Sequence, residues 1–229
     1  MSEQSPKPDG RLAARTSPLR MLLPALTILA VAGIAALVLL GGSSKPALPN
    51  GASQAPAGSG YFGTLALPSK QAPPIALRNY LGQPVTLAEY RGRAVLVTFL
   101  YANCPDVCPL IASNLRVALN LMGPKNAAKV RVIAVSVDPR GDTPKAVAAF
   151  LARHGMTGRM QYLVGSAKEL AGVWKAWGVG SERDAQQPQL VNHTGLVYGI
   201  TGKGLRLTLY ASSFQPAEIA HDVPLLVAR

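Results

Sequence analysis

The apolar positions of the chain fall into blocks of three kinds. The first is a run of twenty uncharged residues, 21–40 (MLLPALTILAVAGIAALVLL). At ~1.5 Å per helical residue such a run covers roughly 30 Å, the thickness of a bilayer's hydrocarbon core. It is expected to be a single transmembrane anchor. A cleaved signal peptide is the rival, but its apolar region is normally ~7 to 15 residues long and closes on an A-x-A-like site, whereas this run continues into GGSSK. The second kind is the short continuous apolar run, at 94–101 (AVLVTFLY) and 131–137 (RVIAVSV), the pattern of strands buried on both faces. Shorter strands are expected at 161–164 and 195–200. The third kind has helical spacing. One helix is expected after Cys104 and another from Thr143, where Pro144 suits the first helical position after an Asp142 or Thr143 cap. A third follows Ser166, which makes an S-x-x-E capping box with Glu169 and stops at Gly178. A last helix is expected over 216–227, preceded by a tight turn in TGKGLRL (201–207) that joins two strands.

These blocks divide the chain into a tail (1–20), the anchor (21–40), a flexible linker (41–60) and one folded domain (61–229). The linker, GGSSKPALPNGASQAPAGSG, has twelve Gly, Ser or Pro among its twenty residues, so it is expected to tether rather than fold. Lys7, Arg11, Arg15 and Arg20 precede the anchor and only Lys45 follows it closely. That asymmetry leaves the tail in the cytoplasm and places the domain on the other side, in the periplasm if the membrane is a bacterial inner membrane. The domain's order, β-α-β-α-β-α-β-β-α, implies an α/β architecture with a central sheet flanked by helices, and it resembles the thioredoxin fold.

Composition narrows the function. With 48% hydrophobic and 15% charged residues the chain is not disordered. Its net charge of +12 points to an anionic partner or surface, but the basic residues are scattered and the domain lies outside the cytoplasm, so nucleic-acid binding is excluded. Cys104 and Cys108 are the only cysteines, which rules out a disulfide scaffold and a four-cysteine zinc module.

Both cysteines lie in Asn103-Cys104-Pro105-Asp106-Val107-Cys108-Pro109, directly after a buried strand and opening a helix. Residues four apart share one helix face, so two thiols at this spacing can converge on one point, to hold a soft metal or to close a disulfide. A helix N-terminus favours thiolate over thiol. As a structural staple the pair would be poor, since it closes a loop of only a few residues. A redox-active or metal-binding pair is the better reading.

The segment from 95 to 110, with CPDVCP between strand and helix, the S-V-D-P-x-x-D-T-P segment at 136–144, and Val191-Asn192-His193-Thr194 after a long loop together resemble the SCO/SenC family. Its members are membrane-anchored, thioredoxin-like, copper-binding proteins of cytochrome c oxidase assembly. The resemblance covers about 60–229 and the preceding anchor. It implies Cys104, Cys108 and His193 as ligands for copper, as Cu(I) or Cu(II). It also implies cytochrome c oxidase subunit II as client, and leaves room for a copper-donor or thioredoxin-like partner. By donor type two thiolates and an imidazole suit copper, and zinc equally.

Asp138 is expected either to face the thiols as a hydrogen-bond acceptor or to form an Asp-Pro turn. His154, His221, Met156 and Met160 are read as packing residues. Residues 179–191 are expected to be a long mobile loop that lets His193 approach and leave the thiolates. The sequence departs from the family at Asn103 and at Gly141, where an Arg is common. Other readings stay open. One is a thiol-disulfide oxidoreductase using Cys104 as attacking thiolate and Cys108 as its partner, although C-x-x-x-C differs from the usual C-x-x-C. Another is a peroxiredoxin-like peroxidase, which shares the APPIAL segment and the strand-Cys-helix layout.

Overall fold

The computed structural model describes residues 60–187 and 190–229. The expected tail (1–20), anchor (21–40) and linker (41–60), Gly60 apart, lie outside the described residues. Among the described residues no helix is long and apolar enough to cross a membrane.

In chain order the strands are β1 (Thr64–Gln71), β2 (Ala76–Asn79), β3 (Pro84–Thr86), β4 (Ala94–Leu100), β5 (Val130–Ser136), β6 (Met160–Val164), β7 (Ser181–Arg183), β8 (Val191–His193), β9 (Leu196–Ile200) and β10 (Leu205–Ala211). The helices are α1 (Val107–Leu121), α2 (Gly123–Ala127), α3 (Pro144–Arg153), α4 (Ala167–Trp177) and α5 (Pro216–Val227), with a 3-10 turn at Leu87–Tyr90. Eight strands form one sheet in the order β1-β10-β9-β4-β5-β6-β2-β3, and β7 and β8 form a separate ribbon. β4, β5 and β6 run parallel, while β9 lies antiparallel against β4.

The apolar runs read as buried strands are the centre of this sheet. Every residue of β4 is buried, because a central strand has neighbours on both edges and a layer over each face. The register tells the faces apart. Val97 pairs with Tyr198 and Leu96 with Gly199. On the first face Phe99 and Tyr198 meet Trp177 of α4, with ring centroids 5.9 and 5.2 Å from it. On the second a Cβ added to Gly199 would lie 3.0 Å from Leu226 Cδ1 of α5. Tyr162 faces this second side through the pairs Thr98–Ala134–Tyr162 and meets Phe150 of α3, and α1 packs on α5. Helices α1, α3 and α5 therefore cover one face and α4 the other.

The expected caps are in place. Thr143 Oγ1 accepts from the Ala146 N–H at 3.2 Å, Ser166 and Glu169 make both halves of the capping box, and Gly178 takes the left-handed conformation (φ 69°) that ends α4. The domain's entry is tied to its last helix: fully buried Asp222 of α5 accepts from the backbone N–H groups of Phe62 (3.0 Å) and Gly63 (2.9 Å) and from Tyr210 Oη (2.8 Å).

Three features differ from the sequence expectation. Strands β1, β2 and β3 extend both edges of the sheet. The segment expected as one long loop contains the β7–β8 ribbon, with Ser181 opposite His193 and Arg183 opposite Val191. Cys104 lies ahead of α1 rather than on its face.

Candidate metal centre

β4 delivers the chain to Tyr101 at the rim of the sheet, and α1 begins six residues later at Val107. Between them the backbone bends so that the Cys104 N–H donates to the Tyr101 carbonyl at 3.2 Å. Cys108, in the first turn of α1, is fully buried, and its own N–H donates to Cys104 Sγ at 3.4 Å. The sulfurs meet because this bend lays Cys104 over the open N-terminus of the helix, where unpaired N–H groups await an acceptor. Both cysteines are free thiols.

His193 arrives on β8, from a different part of the chain. Its Nε2 is 3.4 Å from Cys108 Sγ, and its ring stands edge-on to Tyr101, with centroids 5.6 Å apart and planes at 84°. Cys104, Cys108 and His193 each offer one ligand atom, and these atoms lie within 4.8 Å of one another. The three residues predicted from the sequence are thus brought together. The donor set, two sulfurs and an imidazole without a carboxylate, fits a soft or borderline ion and not a hard one such as Mg²⁺ or Ca²⁺. The buried His193 Nδ1 has no hydrogen-bond partner among the described residues.

The two thiols differ electrically. The Cys108 thiol hydrogen-bonded to Cys104 pulls the Cys104 pKa down to about 4, His193 and the backbone N–H groups of Asp106 and Cys108 add to this, and burial opposes it. Burial pushes Cys108 the other way, and the adjacent Cys104 sulfur and the Asp142 carboxylate raise it further. Cys104 is the resident thiolate, and Cys108 holds the proton that a metal must displace. Tyr101 is pushed up to about 12, chiefly by burial and then by its neighbours Cys104 and Cys108, so it stays a neutral phenol.

Asp138 forms the expected turn. Its Oδ1 accepts from the Arg140 N–H at 3.2 Å, an Asx turn, and from the Arg183 guanidinium. The carboxylate tied to the site is Asp142, which the sequence reading treated only as a cap candidate. Its Oδ1 accepts from the Ala102 N–H at 2.7 Å and its Oδ2 from Tyr162 Oη at 2.9 Å. It thereby fixes the backbone two residues before Cys104, and burial pushes its pKa up to about 6. Tyr101 and Arg183 were also missed, since neither belongs to a spacing pattern.

The remaining candidates are structural. Met156 and Met160 are buried in the core. His154 caps α3 and lies 3.4 Å from Ser113 Oγ. His221 pairs with Asp222 at 2.8 Å. Two cavities of about 460 and 500 Å³ are lined by residues such as Ile75, Tyr90 and Ile200, and Leu77, Val85 and Val164, and include none of the three site residues.

Comparison with known proteins agrees with this geometry. The sequence model of the SCO1/SenC family matches residues 66–228. The copper-bound structure of Bradyrhizobium japonicum ScoI is 30% identical, with a TM-score of 0.59, over 69% of this chain and 99% of that one. The apo Sco1 of Thermus thermophilus is 28% identical, with a TM-score of 0.62, over 76% and 100%. The mouse mitochondrial SCO1 homologue is 27% identical over 154 residues, 66% of this chain and 54% of its own length. The chain spans about half the length of the curated relatives it matches. The fold is therefore thioredoxin-like, as in the Sco structures, and the chain belongs to the SCO1/SenC family.

Proposed function

We propose that the protein is a copper carrier, holding copper through Cys104 Sγ, Cys108 Sγ and the His193 imidazole and delivering it to the binuclear copper site of cytochrome c oxidase subunit II. The observation that carries this reading is the convergence of two sulfurs and one imidazole within 4.8 Å at the rim of the sheet. Zinc would accept the same donors; the copper-bound Bradyrhizobium relative favours copper. Thiolates select Cu(I), and an added imidazole lets the site accommodate Cu(II). Cys104 supplies the first negative charge without losing a proton, Cys108 gives up its proton on loading, and His193 closes the site from a separate element. Residues 21–40 would anchor the domain in a bacterial inner membrane, with the 41–60 linker keeping it on the periplasmic side within reach of a membrane client. A domain with 18 basic and nine acidic residues suits an acidic docking surface.

The test is copper transfer. The loaded protein is mixed with a soluble fragment of an oxidase subunit II, and the metal in each is measured after separation. Copper should move to the fragment from the wild type and not from Cys108→Ala. Retention of copper by the wild type under reducing conditions would sink the delivery reading.

A second reading has its own support. The low pKa of Cys104 beside a protonated Cys108 is the asymmetry of an attacking thiolate and a resolving thiol. In a thiol-disulfide oxidoreductase Cys104 would attack a client disulfide, and Cys108 would release the client as a dithiol while the Cys104–Cys108 disulfide forms. Since a client must be reduced to accept Cu(I), the two activities are compatible. Reduction of an oxidised client fragment without copper would support this role.

A further inference from the structure

The thiol pair and His193 are held by independent parts of the fold. Cys104 and Cys108 are fixed by β4, the bend after it and α1, whereas His193 rides on the β7–β8 ribbon, which pairs with no strand of the main sheet among the described residues. Two polar contacts fasten this ribbon to the chain just after β5. Ser181, directly opposite His193, donates its Oγ–H to the Val137 carbonyl at 2.9 Å. Arg183, two residues on and therefore on the same side of β7, donates from Nη2 to Asp138 Oδ1. The Asp138 side chain is 5% exposed and that of Arg183 33%. A carboxylate so far out of water is stabilised by a partner of opposite charge, and the pair is partly protected from the screening that weakens surface ion pairs.

Gly141 makes room for this arrangement. A Cβ placed there would fall 2.2 Å from Asp138 Oδ2 and 3.0 Å from its Cγ, so any larger residue must drive the carboxylate out of its position.

We propose that the Arg183–Asp138 ion pair, with the Ser181 hydrogen bond beside it, is a latch that positions His193 against the thiols, and that Gly141 is the residue that lets the latch close. The inference rests on the copper reading of the site, but the latch itself is a property of the metal-free protein. Arg183 and Asp138 are positioning residues: they touch no ligand atom, and act by holding the ribbon whose register with Ser181 fixes His193. Opening the latch would loosen His193, leaving it its contacts with Cys108 and Tyr101, and would leave Cys104 and Cys108 in place, giving the third ligand a way out that does not unfold the thiol site.

The test is hydrogen exchange by mass spectrometry on the full chain, reduced and metal-free in mild detergent. Wild type is compared with Arg183→Met, Arg183→Lys and Gly141→Ala. Peptides covering 179–193 should exchange roughly tenfold faster in Arg183→Met, the scale set by loss of one charge-assisted hydrogen bond. Arg183→Lys should recover most of the protection, and β4 and β5 should be unchanged. Gly141→Ala keeps both charges and should still loosen the ribbon by displacing Asp138. In copper-loaded samples, Arg183→Met should weaken both the thiolate-to-copper band and the nitrogen hyperfine coupling, in the direction of the loss expected for His193→Ala. Wild-type protection of the ribbon in both Arg183→Met and Gly141→Ala would overturn the latch. A wild type that takes up no copper would instead overturn the copper reading, leaving the exchange result to stand or fall by itself.

Discussion

Asp142→Asn isolates the cost of burying a carboxylate behind the site. Asp142 is 6% exposed and its pKa rises from 3.8 to about 6, chiefly through burial. A group whose folded pKa is raised contributes its stability in full below the unfolded pKa and loses it as pH rises through the folded one. The window is therefore pH 4 to 6. At ~1.4 kcal/mol per pH unit, a displacement of about two units makes this one group's contribution about 3 kcal/mol less favourable at pH 7.5 than at pH 4. Asn cannot ionise. It keeps an oxygen for the Ala102 N–H and can donate its amide to Tyr162 Oη if that hydroxyl turns. Other carboxylates titrate over the same range, so the useful quantity is the stability of Asp142→Asn minus that of wild type. It should rise by up to about 3 kcal/mol between pH 4 and pH 7.5. Urea denaturation of residues 60–229, reduced and metal-free, measures it. A difference that stays constant across this range would refute the reasoning, because Asp142 would then ionise as easily in the fold as in water.

Further outcomes follow from the same contacts. Alkylation of Cys104 by iodoacetamide should be nearly independent of pH between 5 and 8, since its thiolate forms near pH 4; a rate climbing about tenfold per pH unit through that range would contradict this. Cys108→Ala removes the largest cause of that low pKa, and should move the midpoint of the profile upward. Asp222→Ala strands the donors of Phe62, Gly63 and Tyr210 in the interior. It should cost about 3 kcal/mol or more, lowering Tm by roughly 6–12 °C in a domain of this size. A shift under 2 °C, read by circular dichroism, would mean the N-terminal segment is not held there.

The parts of the fold legible in the sequence were those whose local signal agrees with their tertiary setting. The runs 94–101 and 131–137 could be read as central strands because burial on both faces removes polar alternation, and β4 is buried along its whole length. The Ser166–Glu169 box and Gly178 were legible because a cap is a local interaction. Strands β1 and β3 were not: TLALPSKQ and PVT contain prolines that a central strand would not tolerate and that an edge allows. The β7–β8 ribbon was missed because SER and VNH are three-residue pieces, too short to carry a period.

The site was legible to a similar depth. Its three donor residues lie on motifs, and the structure brings them together. The reason given for the convergence of the sulfurs was incomplete, since Cys104 stands outside the helix and a backbone bend, not a shared helix face, brings it to Cys108. The supporting groups lay beyond reach. Asp138 and Asp142 are both carboxylates in one nine-residue motif, and only the fold decides that one meets Arg183 and the other the Ala102 N–H. Arg183 acts through a contact 45 residues away in sequence, a distance no local pattern covers.

Copper titration of the full, reduced chain in mild detergent tests the central claim most directly. It is read by metal analysis and by the thiolate-to-Cu(II) charge-transfer band, with His193→Ala beside the wild type. The account predicts one copper per chain in the wild type, and loss of that stoichiometric, charge-transfer-active copper in the variant. A wild type that retains no copper, or a variant whose copper content and band equal those of the wild type, would contradict it.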